Sequence, residues 1–133
     1  MSDVTTTSGG QAIIPPFELY YASTNEYLAC RVQLANISNE TVHVVLNYIN
    51  GSGEVAQTTE VNIAAKTVVF IRFTTESTPG SVILPFYGTI DWTGPYMVQK
   101  PLVAHGYVRH FLATSSGLAQ SAYSLPINNG MPF

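Results

Sequence analysis

The feature that most constrains this chain is the run from Thr41 to Phe73, where β-branched and aromatic residues alternate with polar ones around the turn-forming Asn50-Gly51-Ser52-Gly53. Asn-Gly between two such runs predicts a hairpin, because both residues tolerate the positive φ of a turn that matches strand twist. Thr41–Asn50 and Glu54–Ile63 form its arms, and Thr67–Phe73 adds a third strand, so the segment reads as an antiparallel meander. Val42, Val44, Leu46 and Tyr48 fall on one face of the first arm, while His43, Val45, Asn47 and Ile49 fall on the other. An apolar sheet face of this kind must be covered by a second layer.

The rest of the chain repeats the pattern. Tyr27 to Asn36 alternates Leu28, Cys30, Val32 and Leu34 against Ala29, Arg31 and Gln33. Thr67–Phe73 has apolar residues on both sides and therefore reads as central in its sheet. Ser81 to Trp92 contains Pro85 and Gly88 and reads as a bent edge strand, since proline cannot donate to a ladder. Leu102 to Leu112 is a long strand, and Leu118 to Leu125 pairs back on it. No helical period extends beyond a turn or two. The expectation is an all-β fold: one antiparallel β-sandwich of about seven or eight strands, with extended N- and C-terminal arms. Residues 1–10 are assigned to a polar N-terminal arm, 11–125 to the sandwich and 126–133 to a C-terminal tail.

Composition narrows the function. Only 10% of the 133 residues are charged, well under the roughly 25% usual in soluble domains. Lys66 and Lys100 are the only lysines, although lysine is a common guard of exposed sheet edges. Self-association into a homo-oligomer is the expected consequence. The five basic residues, Arg31, Lys66, Arg72, Lys100 and Arg109, read as scattered at a net charge of −3, so no phosphate-binding stripe is expected and nucleic acid is not a predicted partner. No stretch reaches the roughly 18 apolar residues of a membrane span. The opening residues lack a signal-peptide pattern. A cytoplasmic protein, or one whose export segment has been removed, is therefore expected, with extracellular or virion assembly left open. Cys30 is the single cysteine, so neither an internal disulfide nor a cysteine metal site is expected.

The segments Val42–Ile49 into Glu54-Val55, Val61–Thr67, Val69–Phe73 and the early Pro15-Pro16-Phe17 together resemble the sensory rhodopsin transducer family of small soluble β-sandwich proteins, over about residues 15–112. The resemblance implies a soluble cytoplasmic sandwich that assembles as a homo-oligomer and acts by binding. No residue of a transducer contact surface can be matched, so a photoreceptor partner is not carried over.

Chemistry-bearing patterns are sparse. His105 and His110 are an odd number of positions apart on one strand, so they leave opposite faces and cannot chelate one ion. No Gly-x-Ser-x-Gly elbow and no carboxylate pair is present. Asn-x-Ser/Thr patterns at Asn36, Asn39 and Asn50 read as turns. The expectation is a non-enzyme without cofactor or metal. Tyr20, Tyr21, Pro132 and Phe133 are the candidate self-assembly residues. The alternative is a carbohydrate-binding module, with Asp91, Trp92 and Tyr96 on an exposed aromatic turn holding a glycan, since amphipathic rings stack on sugars. A protein partner is the other binding expectation.

Overall fold

The computed structural model describes residues 7–74, 80–115 and 117–133. Eight antiparallel strands follow in order: β1 (Thr7–Ser23), β2 (Glu26–Asn36), β3 (Val42–Asn50), β4 (Val55–Ile63), β5 (Val68–Phe73), β6 (Gly80–Pro95), β7 (Leu102–Thr114) and β8 (Gly117–Pro126). A single 3₁₀ turn, Asn128–Gly130, follows β8.

Hydrogen bonding runs β4-β3-β6-β1-β2-β7-β8, with β5 attached to β2. The β1–β2 link is a corner only, at Tyr21↔Tyr27 and Ser23↔Glu26. The path therefore folds into two layers, β4-β3-β6-β1 and β5-β2-β7-β8. Tyr48 of β3 and Phe73 of β5 share no ladder, yet their rings stack at 4.3 Å and 9°, which places one layer face to face with the other. Phe86 of β6 meets Phe73 edge-on at 4.9 Å. The core fills the gap with Ile14, Leu46 and Ile90 from one layer and Val32, Leu34 and Val108 from the other. This is the expected β-sandwich.

Three expectations about individual strands are corrected. β5 does not continue a meander with β3 and β4. A link through Lys66, whose φ is 62°, carries it to the opposite layer, where Cys30–Ala35 of β2 pair with Phe73–Val68. Nor is β5 central: β2 is its one ladder partner among the described residues, and Val68 and Phe70 stand 58% and 59% exposed. Apolar residues on both faces mark here an edge strand with an uncovered apolar side, not a doubly buried one.

β6, read as an edge, is instead central, flanked by β1 and β3. Pro85 is tolerated because the β3 ladder ends at Asn50↔Phe86, one residue short of it. Gly88 is required by the crowding: a Cβ there would lie 2.7 Å from Ile14 Cδ1 and 3.1 Å from the Asn47 carbonyl. In β1, Pro15-Pro16 fall at a bulge, where Ile14↔Gly88 and Phe17↔Phe86 leave one extra residue on the β1 side.

The arms are shorter than expected. Thr7–Gly10 pair with Pro95–Trp92 as part of β1, while residues 1–6, the rest of the expected arm, lie outside the described residues. At the other end Ile127 and Phe133 are buried, and Phe133 exchanges both backbone hydrogen bonds with Leu102, at 2.9 and 3.1 Å. The hairpin loop also differs in detail. The positive φ falls on Gly53, and Asn50 Oδ1 accepts from the backbone N–H groups of Ser52 and Glu54 at 2.9 and 3.0 Å, so Asn50 acts through its side chain.

Candidate interaction surface

Each residue singled out for binding can now be placed. Asp91 and Trp92 are neighbours on β6 and so point to opposite faces. Asp91 faces outward, where Gln11 Nε2 donates to its Oδ1 at 2.8 Å. Trp92 faces the core and is only 4% exposed. Tyr96 lies past the strand end, 59% exposed. The three do not converge, and the expected exposed aromatic turn at Trp92 is corrected: its indole is held under β1, where Gly10 leaves the room. A Cβ on Gly10 would lie 2.6 Å from Trp92 Nε1, and that nitrogen is buried without a hydrogen-bond partner.

Tyr20 is half-buried, and its Oη lies 3.0 Å from His110 Nε2, which is 3.3 Å from Glu26 Oε2. Burial first, and the Glu26 carboxylate second, push the Tyr20 hydroxyl up. The trio ties the β1–β2 corner to β7. Tyr21, Tyr27 and Phe111 form a stack beside it, with successive centroids 5.7 and 5.0 Å apart. Pro132 is half-buried and Phe133 buried against its own chain, so Phe133 is committed to this fold.

Two of the open clefts among the described residues lie near residues discussed above. One of about 590 Å³ lies between the β3–β4 turn and the ends of β5 and β6, bounded by Asn50, Gln57, Phe73 and Pro85. Among the described residues its lining contains no ionisable side chain. The other, of about 520 Å³, is bounded by Gly10, Trp92, Gln99, Lys100 and Phe133. Neither reaches the Tyr20–Glu26–His110 cluster. Among the described residues no three His, Cys, Asp or Glu side chains gather where a metal could sit, and no helix is long and apolar enough to cross a membrane.

The surface that sequence reasoning missed is the outer face of β5-β2-β7. Arg31 stands directly across from Arg72 on β5 and from Tyr107 on β7. Arg109 follows two positions along, opposite Ala29. The Arg31 guanidinium lies 5.8 Å from the Phe70 ring centroid and donates from Nη1 to Tyr107 Oη at 3.3 Å. The Arg72 guanidinium lies 5.5 Å from the Tyr27 ring. The basic residues read as scattered are thus partly gathered, with all three arginines of the chain on one face. Strand parity carries the signal, since Arg72 and Arg109 sit out of phase with their strands' buried residues, and Arg31 with all of those on β2 but Ala29. Only the pairing of β2 with both β5 and β7 brings them together.

The comparisons with known proteins bear on the fold. No family model matches the chain, and no curated protein matches it. Among solved structures, the crystal structure of Thermotoga maritima 1070 is similar, with a TM-score of 0.51 over 86% of this chain and 90% of that one, at 9% sequence identity. At that identity the likeness is one of fold alone.

Proposed function

We propose that this chain is a non-enzymatic β-sandwich that assembles with copies of itself and acts by binding, as the resemblance to the transducer family also implies. The observation that carries this is β8, a ten-residue strand without a charged side chain, whose one ladder partner among the described residues is β7. An uncharged edge of that length is a template for pairing with another chain. The edge strands β4 and β5 support the reading, with one charge apiece, Glu60 and Arg72, and no lysine or proline. Size-exclusion chromatography with light scattering at tens of micromolar is expected to give a mass above one chain. Ser121→Lys, which places a charge on the exposed β8 edge, is expected to lower that mass without lowering the unfolding midpoint. A wild-type monomer under the same conditions would remove the proposal.

A further inference from the structure

Trp92 is the chain's only tryptophan, and its Nε1–H is a buried donor without an acceptor. The residue is 4% exposed, so bulk water does not make good the loss, and a donor left in that state costs the desolvation of its N–H. A fold that keeps such a group calls for a reason. Two glycines cover it. Gly9 and Gly10 of β1 pair with Thr93 and Trp92, and a Cβ on Gly10 would lie 2.6 Å from Nε1 and 3.1 Å from Cε2. Glycine inside a strand often marks the close approach of another group.

The same indole lines the cleft of about 520 Å³ between the start of β1 and the chain's last residues, a size within the range of small-molecule sites. Val98 and Phe133, both buried, add to its apolar wall. Lys100 stands exposed at its edge. The φ angles of 82° at Met97 and 45° at Lys100 put non-glycine residues in the left-handed region, a strain that folds retain chiefly where it positions something. Among the described lining residues there is no Asp or Glu, and Asp91 leaves by the other face of β6 to meet Gln11. The described lining thus combines an apolar wall, one cation and one unfilled donor, with no carboxylate side chain to satisfy them.

We infer that this cleft binds an apolar monocarboxylate, its hydrocarbon body against Val98, Phe133 and the indole ring and its carboxylate shared by Trp92 Nε1–H and Lys100. The acceptor reaches Nε1 through a small displacement of Gly9-Gly10, which carry no side chain to obstruct it. A charge-assisted bond to a buried donor, where the apolar body keeps water out, is stronger than one at the surface. The site is separate from the uncharged edge of β8 and does not depend on the assembly proposed above.

The test titrates isotope-labelled full-length protein with hydrocinnamate, a phenyl ring joined to a carboxylate by two methylenes. It follows the indole N–H resonance, of which the chain has one. That resonance is expected to move downfield and to saturate. Hydrocinnamide, with the same body and no charge, is expected to bind about tenfold more weakly. Acetate, a head without a body, is expected to give no saturable shift at the same concentrations. Lys100→Gln is expected to weaken hydrocinnamate about threefold without moving the unfolding midpoint. Trp92→Phe keeps an aromatic ring and loses the donor, and calorimetry should show a loss of about tenfold. If that variant does not fold, the amide and Lys100→Gln arms decide the matter. An indole resonance indifferent to hydrocinnamate at millimolar concentrations overturns the inference. Equal affinity for acid and amide, or for wild type and Lys100→Gln, overturns it too. So does an Asp3→Asn chain whose indole resonance has moved before any ligand is added, because the occupant would then be the one carboxylate side chain of residues 1–6.

Discussion

At the scale of single residues, the core holds one ionisable pair. Cys30 is fully buried, and burial pushes its thiol from an ordinary 9.0 up to about 12, with the neighbouring Tyr48 hydroxyl pulling slightly the other way. Burial, then Cys30, raises the Tyr48 hydroxyl as well. The contact between them is weak, because Tyr48 Oη meets no hydrogen-bond partner of ordinary geometry. As pH rises, the unfolded chain releases the Cys30 proton near 9 while the folded chain holds it to about 12. Stability is therefore intact below pH 9 and falls above it, by roughly 1.4 kcal/mol one unit higher. Urea titrations across that window should show the decline in the wild type and a shallower one in Cys30→Ala. The native thiol should also resist a water-soluble disulfide reagent until the protein unfolds. Alternation alone had already put Cys30 inward with Leu28, Val32 and Leu34, because parity along one strand is a local property. The same reasoning applied to Asp91 and Trp92 separates them onto opposite faces. Treating them as one turn site failed because the strand continues through Asp91 to Pro95.

At the scale of elements, β6 is the strand on which the first layer depends, since it joins β1 to β3 along most of its length. Gly88→Ala should cost about 1–3 kcal/mol in denaturant unfolding, because the new methyl meets the Asn47 carbonyl as well as Ile14 and the backbone cannot yield as a side chain can. Strand existence was legible almost throughout, and the bounds of β3, β4 and β5 agree with the pattern to within a residue. Partnership was not. Pro85 argued for an edge because proline forfeits a ladder bond, but the sequence around it does not say where the neighbouring ladder stops. For β5, Val68 and Phe70 suggested a covered second face, whereas the described neighbours leave that face open. Alternation reports which side of a strand is apolar; it carries no information on which strand lies alongside.

At the scale of the whole molecule, the segment after β8 folds back onto the start of β7. Phe133 is buried and paired with Leu102, beside the buried Ile127 that follows β8. Removing Pro132 and Phe133 should lower unfolding stability by about 3 kcal/mol through loss of the ring and its two backbone bonds. The mass measured by light scattering should be unchanged, because the tail is spent within its own sandwich. The N-terminal end has the opposite character. Apart from the corner at Tyr21 and Ser23, the seventeen residues of β1 find their ladder in β6, which the ribosome delivers only after five other strands have emerged. A nascent chain must therefore keep its opening segment unpaired through most of synthesis. β1 is made before the strand that holds it and is among the last to find its place, so slow translation through β5 and β6 would prolong the interval in which it is open to chaperones and to neighbouring chains.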